Sequence, residues 1–293
     1  ASRVLGAKLC WSTSSRRWEP GAQSIIGWYD STIGHNQNDA MASPYVGIPE
    51  DRWLERTREL VDTHPLTEAL IHDAAVVSWA RLWNTKVGDA ETGFPLVELD
   101  PPATVIGYFF EKIFSKELAQ RLPGQWRGGQ SGSEKDLHCL TDDAKSVEMK
   151  SSGQLGFKIF GNRSYGQKNE NVDATKKDKS GYYITINFHK QCLTLLRFGW
   201  IDADDWQAQK SATGQMAGLP DSVYSGKLLV IRGPYMLQAP IKLIPGVGPK
   251  AFADLAHLGI HSIHDLLTRS VGDVPAKYAK HWKKARTMFD DLL

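Results

Sequence analysis

Cysteine is scarce. Cys10, Cys139 and Cys192 are the three in 293 residues, they lie far apart, and no C-x-x-C pair occurs, which excludes a disulfide framework and the usual spacing of zinc or dithiol redox sites. Also missing is any run of roughly 18 apolar residues able to span a bilayer, and the first residues lack the basic-then-apolar build of an export signal. The expectation is a soluble, unexported protein of a reducing cytoplasm with no membrane partner. No internal repeat or low-complexity tract is evident, so solenoid and fibrous architectures are set aside. Charge of one sign is lacking overall: a net +2 neither demands nor forbids a polyanionic partner.

What is present is a chain that is 41% hydrophobic, long enough to bury one large core or two modest ones. Its positive charge is concentrated late, with ten Lys or Arg against five Asp or Glu from Gly226 onward. Residues 1–40 are rich in Ser, Gly and Trp without periodicity, and Met41 precedes a more regular stretch, so an irregular extension is expected there, with native and non-native readings both open. A main domain is expected over 41–235 and a small helical one over 236–293. Helical spacing runs from Pro49 to Trp83 and again from Pro102 to Leu122, where Val105, Ile106, Phe109, Phe110, Ile113 and Phe114 recur at helical intervals. After the Gly-rich PGQWRGGQSGS the period shortens, and strands are predicted at 135–140, 146–150, 155–160, 182–188, 193–199 and 227–231. A polar, Lys-rich loop separates the third from the fourth, and a helix is predicted near 204–217. The fold class that follows is α/β, a central mixed β-sheet flanked by helices, with a C-terminal helical subdomain.

The informative stretch is SEKDLHCLTDDAKSVEMKSSG. Side chains alternate across a strand, so Glu148 and Lys150 share one face while Met149 points to the core. A turn through Thr141, Asp142 and Asp143 can fold Asp136 back beside them, which leaves His138 as a packed strand residue. Two carboxylates and an ammonium then converge. Carboxylate oxygens hold hard cations such as Mg2+, and a bound cation lowers the pKa of water and offsets charge on a phosphate in transit. The ammonium can orient the attacking water or stabilise the transition state. Alone, an Asp followed by Glu-x-Lys is a weak signal that also arises on solvated strand faces.

The pattern resembles the PD-(D/E)xK nuclease superfamily, and the longer string EKDLHCL, SVEMKSSG, KIFGNRSYGQ resembles type II restriction endonucleases of the ScaI-like group over roughly residues 44–267. Lys135 stands where the motif nominally has Pro. The resemblance implies a sequence-specific endonuclease hydrolysing phosphodiester bonds of double-stranded DNA, bacterial and cytoplasmic, with Asp136 and Glu148 as metal ligands and Lys150 as water-positioning base or electrostatic partner. It also implies a further carboxylate from the preceding helix, for which Glu111 is the candidate.

Near the end, IKLIPGVGPKAFADLAHLGI resembles a helix-hairpin-helix motif: Gly246 and Gly248 permit a tight turn and close approach of a phosphate, Pro249 opens a helix whose first N–H groups can bind it, and Lys250 adds charge. Such contacts position DNA without reading it. Base reading is assigned instead to Asn162, Arg163, Ser164, Tyr165 and Gln167, whose polar groups suit base edges, against the alternative of a plain polar turn. Cutting both strands of a symmetric site predicts a homodimer. The rivals are a structure-specific DNA repair nuclease, although the glutamate-arginine-lysine signature of one such family is absent, and a non-catalytic DNA-binding protein in which the triad has no role.

Overall fold

Apolar spacing and prolines set the helices. The computed structural model describes residues 42–166, 178–208 and 216–293. The helical run predicted from Pro49 divides into α1 (Trp53–Asp62) and α2 (Glu68–Trp83). The division falls at Pro65, which cannot continue a helix, and at Thr67, whose hydroxyl caps α2 by accepting from Leu70 N at 3.2 Å. A short hairpin, β1 (Lys86–Val87) with β2 (Phe94–Pro95), leads to Pro101–Pro102 and the long helix α3 (Ala103–Arg121).

The chain then builds β3 (Trp126–Gly128), β4 (Leu137–Cys139), β5 (Val147–Ser152), β6 (Gly161–Asn162), β7 (Gly181–His189), β8 (Cys192–Ile201), β9 (Gln207–Ala208) and β10 (Met216–Gly218). After these come α4 (Asp221–Gly226) and β11 (Leu228–Ile231). Six strands form the central sheet in the order β11-β8-β7-β5-β4-β3, antiparallel except where β5 runs parallel to β7. The sheet is mixed, as the sequence predicts. Both faces of β7 and β8 are covered, which is why these strands read as nearly continuous apolar runs. On one face Val147, Met149, Tyr182, Ile184, Ile186, Phe198 and Trp200 join the core formed with the helices. On the other, Tyr183 and Ile201 pack with Ile159, Trp206 and Tyr224, under a small sheet ordered β6-β10-β9.

Two predicted elements are corrected. Residues 155–160 form no strand, because side chains from elsewhere take their backbone groups: Arg197 donates to Phe157 O (2.6 Å), Asn187 to Lys158 O (2.9 Å), and Ile159 N donates to Tyr224 Oη (3.0 Å). β7 also has β5 and β8 as its neighbours already, so no edge is open to them. The helix near 204–217 is absent among the described residues. In its place the capping box of Asp202 and Asp205 closes a single 3-10 turn, and Gln207–Ala208 pairs with β10. β3, unpredicted, lies within the Gly-rich stretch and pairs with β4.

Residues 40–293 form one compact unit. Within it Ile241, Ile244, Val247, Leu255, Ile263, Leu267, Ala285 and Phe289 gather into an apolar cluster of their own, built by α5 (Pro249–Ala256), α6 (Ile263–Leu267) and α7 (Ala279–Phe289). Among the described residues no helix is long and apolar enough to cross a membrane. Cys139 and Cys192 carry free thiols, and burial raises that of Cys192.

Candidate active site

Strand register brings the carboxylates together. Leu137 pairs with Val147 across the antiparallel β4–β5 ladder, so the next residues, Asp136 and Glu148, stand opposite each other with side chains on the face away from α3. The turn between the strands is made as expected: Asp142 accepts from Ala144 N at 3.1 Å and opens a 3-10 turn at Asp143. His138 is half-buried, with Nδ1 3.1 Å from Asp143 Oδ1. The Asp136 carboxylate reaches the edge of β5, where Oδ2 accepts from Met149 N at 2.9 Å. It thereby satisfies the N–H of the residue lying between Glu148 and Lys150.

Glu148 is buried, its side chain 3% exposed. Burying a carboxylate requires donors, and its Oε1 takes two: Lys150 Nζ at 2.6 Å and the Tyr165 hydroxyl at 2.9 Å. Lys150 Nζ also lies 4.9 Å from the centroid of the Tyr165 ring. Burial first, and then the charge of Glu148, raise the Tyr165 phenol far above its ordinary value, so it remains a donor.

A cleft of about 600 Å³ opens along this edge of β5. Glu111 and Tyr108 of α3, Lys150, Gln154, Asn162 and Met216 are among its walls. Glu111 therefore faces the same space as Lys150, although it reaches it from the helix side of the sheet. Its Oε1 accepts from Lys112 Nζ at 2.7 Å, and that bond, with a smaller contribution from the charge of Asp136, holds the Lys112 ammonium above the usual lysine value. Lys112 thus stands where it senses two acidic groups, a placement the one-dimensional sequence did not signal.

The fit to a divalent cation rests on this donor set. Among the described residues no cluster of three or more His, Cys, Asp or Glu side chains is grouped to cage an ion. Two hard carboxylates opposite each other, beside a cleft that Lys150 and Glu111 line, suit Mg2+, which is bound through one or two carboxylates, waters and substrate phosphates rather than an all-protein cage. The residues present fit such an ion.

Of the residues assigned to base reading, Asn162 and Ser164 are exposed, Asn162 on the cleft wall. Arg163 opens the 3-10 turn Arg163–Gly166 that follows β6. Gln167 lies outside the described residues. Tyr165 is turned inward to Glu148 and stacks edge-on against Trp206 at 4.8 Å, a contact that spacing alone does not reveal. Lys135, in the place of the motif's Pro, donates to Ser180 O at 2.7 Å and to Asp178 O, and so ties β4 to the start of β7.

At the basic end, Gly246 has φ +93°, a left-handed value that favours glycine, and a Cβ there would come within 3.3 Å of the His281 ring. Gly248 precedes α5, with Pro249 at its first position, and Lys250 is exposed beside it. The helix expected before the hairpin is reduced to the single 3-10 turn Ile241–Leu243.

Residues 43–232 match the profile of the ScaI restriction endonuclease family. The type II restriction enzyme ScaI of Streptomyces caespitosus is 38% identical over 198 residues, 64% of this chain and 84% of that enzyme. No solved structure matches the chain. The matched stretch includes Asp136, Glu148, Lys150 and Tyr165, and residues 233–293 lie outside it.

Proposed function

The chain belongs to the ScaI restriction endonuclease family, and from that premise we propose that it is a Mg2+-dependent type II enzyme cutting double-stranded DNA at a specific sequence, with Asp136, Glu148 and Lys150 as its catalytic centre. The observation that carries this is the opposed pair Asp136 and Glu148, with Lys150 Nζ bonded to Glu148 at 2.6 Å, beside an open cleft.

Asp136 and Glu148 would hold the divalent ion, with Glu111 across the cleft as a third carboxylate. The ion supplies a more acidic water and charge neutralisation at the scissile phosphate. Lys150, anchored on Glu148, directs an N–H toward an attacking water or a phosphate oxygen, stabilising charge as it develops. Tyr165, filling the space beside the pair, keeps bulk water from Glu148. Asn162, exposed on the cleft wall, and Ser164, also exposed, with Arg163 and Gln167 of the same segment, are the groups assigned to base edges. Residues 236–293 act as the DNA tether: the N–H groups opening α5, the glycine turn at Gly246 and Gly248, and Lys250 grip phosphates without reading sequence.

A homodimer supplies the second centre for the second strand. Its support is the exposure of Phe94, Val97, Leu99, Tyr108 and Phe109 along the segment from β2 into α3, apolar side chains that a second copy would cover. The bacterial cytoplasm, where such an enzyme meets its substrate, is the proposed location.

Plasmid digestion in Mg2+ with sequencing of the ends tests the function. Discrete fragments sharing one terminal sequence are expected. A smear, cutting confined to branched DNA, or no cutting would overturn it.

A further inference from the structure

We propose that Tyr165 is a positioning residue that couples the DNA-reading segment to the catalytic pair, so that a wrong base is rejected at the cleavage step rather than at binding. The inference rests on the nuclease reading above and on the assignment of base contacts to residues 162–167.

Tyr165 belongs to two places at once. Its backbone is in the turn Arg163–Gly166, directly after β6, and therefore moves with Asn162 and Ser164. Its side chain ends in the catalytic centre: the hydroxyl donates to Glu148 Oε1 at 2.9 Å, and the ring lies 4.9 Å from Lys150 Nζ. One phenol thus touches the carboxylate and the ammonium of the same pair.

The link between these ends is stiff. The ring stacks edge-on against Trp206 at 4.8 Å and rests on Gly161, where an added Cβ would come within 2.8 Å of it, so the ring requires a glycine beneath it. β6 is held antiparallel to β10, with Asn162 opposite Met216 and Gly161 opposite Ala217. From the far side, Lys179 donates to Ser164 O. A shift of Asn162 or Ser164 in response to a mismatched base therefore moves the phenol relative to Glu148. Lys150 and Tyr165 both donate to Glu148 Oε1, and losing one donor to a buried carboxylate changes both its orientation and its affinity for a cation.

The test compares wild type with Tyr165→Phe, which keeps the ring on Trp206 and over Lys150 and removes only the hydroxyl. After the wild-type site has been read from its cut ends, four quantities are measured: single-turnover cleavage of that site and of a site with one base pair changed, affinity for the correct site in Ca2+, melting temperature, and the Mg2+ concentration giving half of the ion-induced rise in melting temperature. The variant is expected to melt with the wild type in metal-free buffer and to bind the correct site equally well. Cleavage of the correct site should fall about 10- to 100-fold, as for loss of a hydrogen bond to a charged group. Cleavage of the altered site, where the contact is already displaced, should fall less than about 3-fold on the same reasoning, and the half-effective Mg2+ should rise about 10-fold. Equal losses at both sites, an unchanged rate at the correct site, or a loss matched by weaker binding would overturn the coupling. A wild-type protein that cuts no DNA would remove the nuclease reading and this inference with it.

Discussion

Asp136→Asn separates chemistry from folding more cleanly than other changes in this centre. The Asp136 oxygen accepts from Met149 N at 2.9 Å, and an amide oxygen can do the same, so the bond that fastens β4 to β5 survives. What disappears is a negative charge placed opposite Glu148 on neighbouring strands, an arrangement that costs on the order of 0.2–1 kcal/mol when like charges face each other. In metal-free buffer the variant should therefore equal or exceed the wild type in stability, by up to ~1 kcal/mol, which is about 2–4 °C for a domain of this size. A stability cost of this kind is common at active sites. Adding Mg2+ should reverse the order. An ion at 100 times its dissociation constant stabilises the wild type by about 2.7 kcal/mol, whereas the variant, with one ligand neutral, should gain little. Plasmid cleavage should fall at least about 1,000-fold, the loss of ~4 kcal/mol of transition-state stabilisation. Differential scanning fluorimetry with and without Mg2+, beside a cleavage time course, reads every part. A variant that cuts at more than a few per cent of the wild-type rate, or melts well below it without metal, would refute the reasoning.

Other outcomes follow from the same structure. His64 is buried against Tyr182 and Phe198, its Nδ1 accepting from Leu66 N and its Nε2 bonded to Lys145 O, and burial pushes its pKa down to about 4. Because the folded value lies below the ordinary 6.5, the neutral ring's contribution is complete above pH 6.5 and is lost as pH falls toward 4. The loss should be about 3 kcal/mol in urea titrations, and His64→Asn should flatten that slope. Lys227 lies between the rings of Tyr45 and Trp53 and bonds Asp202 at 2.7 Å and Asp205 at 2.8 Å. Lys227→Met strands two largely buried carboxylates and should cost about 3–5 kcal/mol by chemical denaturation, with a loss under ~1 kcal/mol contradicting it. Lys250→Ala should weaken DNA binding at every sequence alike and lower the slope of log affinity against log salt by about 1, leaving the cut site unchanged; altered site choice would contradict its role as a tether.

The strands that matter for the centre were legible because burial imposes a pattern. β7 and β8 read as long apolar runs since helices cover one face and the β6-β10-β9 sheet the other, and SVEMK reads as β5 because Val147 and Met149 face the core while Glu148 and Lys150 do not. The pairing of Asp136 with Glu148 was legible for the same reason, since a turn of fixed length sets register. What escaped was set by tertiary partners. LGFKIF has the composition of a strand, yet Arg197, Asn187 and Tyr224 occupy its backbone groups. WRG, lost among glycines, forms β3 only because β4 offers it an edge. Tyr165 looked like one more polar residue of a recognition loop, and only coordinates place its hydroxyl on Glu148. Lys112 likewise gave no sign of lying within reach of the charge of Asp136.

The central claim is that Asp136 and Glu148 together hold the ion that cuts DNA. A crystal structure with the cognate duplex and Ca2+, which supports binding in place of turnover, tests it directly. The account predicts a cation with oxygens of both carboxylates at about 2.3–2.6 Å and the scissile phosphate beside it. A cation bound elsewhere on the protein, with these two carboxylates uninvolved, would contradict it.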